Sequence, residues 1–201
     1  MSDIEKLRSS LIQALDEEEM VREEAYSQCR DLIRSCRRTI SDLVNEKEVD
    51  LSDLRIEASK VIEGTGESGK PLLFVEDALA EYCEAEVLFS VLSGEEIRTP
   101  TELGISERAF VLGISDVVGE LRRVTLNRLL RSDLQGAVSI YSKMEEIGQL
   151  VEGLVYPSGM IPLKKKQDAI RSILDRTGGE LAIAMHSRGR INGMERGSDD
   201  G

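Results

Sequence analysis

Three carboxylates stand where a helix should be apolar. Drawn as a helix at about 100° per residue, residues 71–93 place Phe74, Ala78, Ala85, Leu88, Val91 and Leu92 on one arc. Glu76, Glu86, Ser90 and Ser93 take the opposite, polar arc. Asp77, Glu81 and Glu84 fall inside the apolar arc at i, i+4 and i+7. Carboxylates are almost never buried unless they are paired or bound to a metal. Residues 106–131 repeat the anomaly. Val111, Leu112, Ile114, Val117, Val118, Leu121, Val124, Leu126 and Leu129 cover nearly the whole circumference, and one seam is polar: Asp116, Glu120, Arg123 and Asn127.

Two helices that each turn carboxylates inward can build an oxygen-ligand site for a hard divalent cation. Mg²⁺, with Mn²⁺ as the alternative, binds through one or two carboxylates together with substrate phosphates. Such an ion activates water and stabilises a phosphodiester transition state. The candidate metal-ligating and catalytic residues are therefore Glu81, Glu84, Asp116 and Glu120. An ion-pair network gives the same pattern, with Asp116 and Glu120 held by Arg122 or Arg123 while Glu81 and Glu84 face a solvent channel. Spacing leaves both readings open. A ferritin-like di-iron site needs Glu-x-x-His pairs; here the spacing is Glu81-x-x-Glu84, and the single histidine, His186, lies far along the chain.

A basic strip accompanies the carboxylates. Arg30, Arg34, Arg37 and Arg38 share one arc, beside an apolar stripe of Cys29, Ile33, Cys36, Ile40 and Leu43. Arginine binds phosphate bidentately, so the strip suits a nucleic-acid backbone; the bland alternative is a solvated helix face. Arg123 and Asn127 on the polar seam are further candidate nucleic-acid contacts. Arg122, Arg128, Arg131 and Lys164, Lys165 and Lys166 add positive charge. The net charge of −12 opposes polyanion binding unless the basic groups are segregated on one face. Aromatics make up 3% of the chain with no Trp, which disfavours base stacking and leaves backbone and shape recognition.

The elements that must position these residues are helices. Only 4 prolines occur in 201 residues, apolar residues recur at helical spacing, and no strand pattern rises above noise. Residues 2–48 contain no Gly or Pro and read as one very long helix, or two with a soft break at the acidic run 16–19. Further helices are expected over 51–62 (with Asp50 or Ser52 as N-cap), 71–93 (started by Pro71), 106–131, 133–156 and 162–188. Residues 64–69 form a Gly-rich linker; no Gly-Lys-Ser/Thr follows, so they do not make a phosphate-binding loop. The expectation is an all-α antiparallel bundle of six to seven helices. It forms a single domain over 1–190, followed by a disordered, polar tail over 191–201. Cys29, Cys36 and Cys83 match no metal spacing and read as core residues in a reducing compartment. No apolar leader and no run of about 20 apolar residues occurs, so a cytoplasmic protein with no membrane contact is expected.

Several segments resemble the translin/Trax family. Glu81-Tyr82-Cys83-Glu84-Ala85 is similar to the Glu-Tyr-x-Glu-Ala motif of Trax. The segment 113–123, with Asp116, Gly119, Glu120 and Leu121, is similar to its Asp-Leu-x-Gly-Glu-Leu segment. Asn127 and Asp133 resemble the Asn and the Asp of the Gly-Asp that follow in translin and Trax. Residues 164–170 and Ser187-Arg188-Gly189 resemble the family's last helix and its Arg-Gly ending. The resemblance spans about residues 20–190. It implies a translin-like bundle of about seven helices in a hollow homo-octamer, with nucleic acid on the inner surface. This reconciles a basic interior with an acidic exterior. It also implies that Glu81, Glu84 and Asp116, with Glu120 nearby, serve Mg²⁺-dependent cleavage of single-stranded RNA, with DNA or duplex RNA as other partners. The chain carries the Trax-like carboxylate set rather than the reduced set of translin, and its compactness suggests a prokaryotic, archaeal-type homo-oligomer.

Two other functions remain. One is a non-catalytic translin-like RNA- or DNA-binding protein. The other is an all-α nucleotide pyrophosphatase, which also uses Glu-x-x-Glu but adds Glu-x-x-Asp on a later helix; here that position reads Asp116-x-x-x-Glu120.

Overall fold

A computed structural model of the chain describes residues 3–65 and 73–196, with side chains described over 3–64 and 73–187. Pro71, residues 66–69 of the linker and residues 197–201 of the tail lie outside the described residues. Among the described residues there are seven helices and no strand, and the all-α bundle of six to seven helices expected from periodicity is what the chain forms.

Helix α1 (Asp3–Val44) is one unbroken 42-residue element, so the acidic run 16–19 makes no break. Those side chains are exposed, and water screens their repulsion. Residues 3–24 are all exposed and project beyond the bundle; the buried stripe begins at Cys29 and continues through Leu32, Cys36, Ile40 and Leu43. Helix α2 is Ser52–Thr65. Of its two candidate caps, Asp50 supplies the oxygen, accepting from the Ser52 N–H at 2.9 Å and its hydroxyl at 2.7 Å.

Helix α3 (Leu73–Ser93) and helix α5 (Glu107–Leu130) form the centre. Between them the expected loop contains a short helix, α4 (Pro100–Leu103), closed by a Thr99/Glu102 capping box and ended at Gly104 with φ 70°. The hydroxyl of Ser106 caps α5 by accepting from the Ala109 N–H, and donates to Glu76 at 2.7 Å. Asp133 caps α6 (Leu134–Glu152). Helix α7 is Leu163–Arg196 and runs past residue 188. Its glycines there cost helix stability, but no proline interrupts the hydrogen bonding and Arg, Ile, Met and Glu favour helix.

Helix α3 packs chiefly on α5 and α1, α5 on α6, and α7 closes the far side against α6 and α5. This enclosure corrects the arcs drawn on α3. Glu76, Glu86 and Ser90, assigned to a polar face, are buried, whereas Asp77 is exposed and Glu81 and Glu84 are half-buried. Water reaches α3 along its Asp77, Glu81 and Glu84 edge, so the polar groups packed inside need partners. Glu86 accepts from Arg55 at 2.7 and 2.9 Å and from the Tyr82 hydroxyl at 2.8 Å, with Arg98 at 3.8 Å.

Candidate functional site

The α3–α5 crossing is held at Gly113. A Cβ there would stand 2.4 Å from the Ala80 carbonyl oxygen and 2.7 Å from the Cys83 Cβ, so the two helices meet almost backbone to backbone. Glu84 follows Cys83 directly, and Asp116 lies one turn beyond Gly113, so the crossing brings their carboxylates into one neighbourhood. Glu81 and Glu120 lie one turn away on their own helices.

The electrostatics report this crowding. The Glu84 carboxyl is pushed up to about 8, first by burial and then by Asp116, Glu81 and Glu120, while Lys166 pulls the other way. Among the described residues Glu84 makes no hydrogen bond or ion pair. The other three carboxylates each hold a cation. Arg37 of α1 donates to Glu81 at 3.1 Å, Arg123 to Glu120 at 2.7 Å, and Lys166 of α7 contacts both oxygens of Asp116, one at 2.6 Å. Four helix segments thus converge. Burial raises the Cys36 thiol, with Glu81, Glu57 and Glu84 adding to it, and burial also raises Cys83. Neither thiol is poised as a nucleophile, because the thiolate is disfavoured.

Among the described residues no three Asp, Glu, His or Cys side chains stand close enough together to enclose a metal. As oriented, then, the carboxylates are near enough to repel one another but not to form a cage. The donor set still fits a hard divalent cation: it is all oxygen, half-buried, and includes a crowded carboxylate without a countercharge.

The basic candidates divide. Arg37 and Arg123 reach the carboxylates. Arg34 is exposed and paired with Asp31, and Arg30 lies 5.9 Å over the Tyr26 ring, both further along α1 towards the projecting end. Arg38 borders a different hollow of about 320 Å³ between α1 and α2, with Asp42, Asp53 and Glu57. The Asn127 amide donates to the Val44 carbonyl at 3.1 Å and closes the end of α1, a structural task. Arg122 is spent on Glu180 and Thr177, tying α5 to α7. Of the ion pairs expected from spacing, Glu120 with Arg123 forms, while Asp116 takes Lys166 instead. Lys166 carried a signal in the sequence: it stands between Leu163 and Ile170 on the apolar stripe of α7, and both are buried.

No family model matches the chain. It is 27% identical over 178 residues to an uncharacterized protein of Methanocaldococcus jannaschii, covering 85% of this chain and 79% of the relative. Among solved structures it is similar to archaeal AfC3PO in complex with duplex RNA, with a TM-score of 0.74 and 27% identity over 93% of this chain and 98% of that one. AfC3PO in its own crystal structure gives 0.74 and 28% identity over 93% and 99%. Apo-NeC3PO of Neurospora gives 0.75 at 19% identity over 92% and 98%, a likeness of fold. Among the described residues no helix is long and apolar enough to cross a membrane.

Proposed function

Since the chain belongs to the translin/Trax family, we propose that it binds RNA and cleaves single-stranded RNA with Mg²⁺ held by Glu81, Glu84, Asp116 and Glu120. Mn²⁺ is the alternative ion. The observation that carries this reading is Glu84, a half-buried carboxylate raised to about 8 by burial and three neighbouring carboxylates and lacking any cation of its own. A bound divalent ion would supply Lewis acidity and a nucleophilic water. The protein's own groups do the rest. Arg37 and Arg123 lie against Glu81 and Glu120 and offer positive charge to backbone phosphates, and Arg34 and Arg30 extend that strip along α1. The relative bound to duplex RNA supports a nucleic-acid ligand.

A non-catalytic binding protein is the second reading, favoured by the three ion pairs that already neutralise Glu81, Asp116 and Glu120. Incubation with Mg²⁺ and labelled single-stranded RNA separates the two. Metal-dependent fragments are expected, and none in EDTA; intact RNA under both conditions returns the chain to the binding class. Hydrolysis of nucleoside triphosphates in a parallel panel would support a pyrophosphatase instead.

Backbone recognition makes a separate prediction. Replacing Arg30, Arg34 and Arg37 together by Ala should weaken RNA binding equally for unrelated sequences. It should also lower the slope of log affinity against log salt, by about 0.7 for each phosphate no longer neutralised. A folded triple variant with an unchanged slope would assign these arginines to ordinary solvated surface.

The reading includes a hollow oligomer, an octamer by resemblance. Its support is the projecting part of α1, where Ile4, Leu7, Leu11, Leu15 and Val21 are all more than half exposed. Contiguous exposed apolar surface of this kind marks an interface. Sedimentation at micromolar concentration should give a multiple of 22.3 kDa; a monomer alone would refute assembly.

A further inference from the structure

Lys166 differs from the other two cations at the carboxylates. Arg37 and Arg123 each touch one oxygen, of Glu81 and Glu120. Lys166 contacts both oxygens of Asp116, the arrangement in which a carboxylate holds a small ion. Its side chain is also the most enclosed of the three, 30% exposed against 70% for Arg37 and 55% for Arg123. It reaches the site from α7, with buried Leu163 and Ile170 one turn to either side. Its neighbours are not equivalent: Lys164 pairs with Asp168 on its own helix, and Lys165 is exposed.

An ammonium is a compact point charge on a flexible stem, whereas a guanidinium is a rigid fork. It can therefore leave a carboxylate for a harder cation and turn to another oxygen anion without dismantling its helix. The charges at the site make that exchange directional. A divalent ion held among these four carboxylates and three cations leaves an excess of one positive charge, and the displaced ammonium then needs an anion.

We propose that Lys166 is a displaceable internal cation: it holds Asp116 in the metal-free protein, yields Asp116 to a divalent ion, and then binds an RNA backbone phosphate beside that ion. This rests on the carboxylate site assigned above. Through Lys166 the metal and RNA each raise the other's affinity, since coupling between two bound ligands is reciprocal.

The test is calorimetric titration of Mn²⁺ into the wild type, Lys166→Gln, Lys166→Arg, Lys165→Gln and Glu84→Gln. It is paired with equilibrium binding of a 2′-O-methyl single-stranded RNA with and without Mn²⁺. Removing the competing ammonium should tighten Mn²⁺ binding about tenfold in Lys166→Gln, given partial solvent screening. It should also abolish the gain in RNA affinity that Mn²⁺ brings. Lys166→Arg should bind Mn²⁺ more weakly than wild type, because a guanidinium grips a carboxylate bidentately. Lys165→Gln should match wild type. Wild-type Mn²⁺ affinity in both Lys166 variants, with binding lost in Glu84→Gln, overturns the role of Lys166 and leaves the carboxylate site standing. Equal effects from Lys165→Gln and Lys166→Gln overturn it as well, by reducing it to general charge. Absence of Mn²⁺ binding in every protein overturns both assignments. If Lys166→Gln melts below the assay temperature, the weakened binding expected of Lys166→Arg carries the test alone.

Discussion

Glu84→Gln is expected to lower Mg²⁺-dependent RNA cleavage by at least about a hundredfold, more than the loss of an outer-shell partner costs, without destabilising the fold. The two effects have one cause. Glu84 is crowded by Asp116, Glu81 and Glu120 and has no ion-pair partner among the described residues. Neutralising it removes repulsion and breaks no pair. The pH dependence follows from the same shift. Glu84 is raised to about 8 in the folded chain, against about 4.3 unfolded, so between these values the folded state binds more protons. Stability attributable to this group is fully present below about pH 4.3 and is lost as pH rises through about 8. The loss amounts to about 2–3 kcal/mol, less than the full shift implies because the side chain keeps partial access to water. The metal-free Glu84→Gln variant should therefore melt higher than wild type at pH 8 and alike at pH 4, and saturating Mg²⁺ should stabilise wild type selectively. If Glu84 instead completed a buried ion pair, the substitution would cost about 3–5 kcal/mol. Melting curves at the two pH values separate these outcomes. A stable variant that cuts RNA at the wild-type rate would remove Glu84 from the chemistry.

The longer helices and the anomalous carboxylates were legible in the sequence, because each is a local property, whereas the short α4 inside the expected loop was not. Ser106 and Asp133 cap α5 and α6 where their types predict. Glu84 drew attention simply by being a carboxylate at helical spacing with Ala85 and Leu88. The arcs of α3 were misdrawn for a nonlocal reason. Periodicity divides a helix into arcs without saying which arc meets water, and packing put the wet edge of α3 on the other side, so Glu76 and Glu86 are buried with partners while Glu81 and Glu84 are more accessible. The partners were equally hidden. Arg55 lies 31 residues from Glu86 and Lys166 lies 50 from Asp116, and only the packing of α2 and α7 decides that they meet. The split of the arginines belongs to the same class. Arg37 and Arg38 are adjacent in sequence, yet one meets Glu81 on α3 and the other borders a hollow shared with α2.

Gly113→Ala is expected to destabilise the protein by about 1–2 kcal/mol net and to disconnect the carboxylates. The added methyl would lie 2.4 Å from the Ala80 carbonyl oxygen, 2.7 Å from the Cys83 Cβ and 3.0 Å from its sulfur. The two nearest of these atoms belong to or adjoin the α3 backbone, so no side chain can rotate away and the helices must separate. Overpacking of this kind costs about 1–3 kcal/mol and occasionally more, and it outweighs the roughly 1 kcal/mol gained by replacing a helical glycine with alanine. Gly119, two turns on in the same helix, provides the control. Nothing lies within 4 Å of its hypothetical Cβ, so Gly119→Ala should keep the propensity gain and stabilise by up to about 1 kcal/mol. Separation at Gly113 also draws Asp116 and Glu120 away from Glu81 and Glu84. Mn²⁺ binding should consequently weaken in folded Gly113→Ala, although no ligand has been changed, and stay at the wild-type level in Gly119→Ala. Denaturant titration and calorimetry on the two alanine variants measure both effects. Equal stabilities would mean that α3 and α5 do not meet at Gly113, and equal Mn²⁺ affinities would mean that their close approach does not assemble the site.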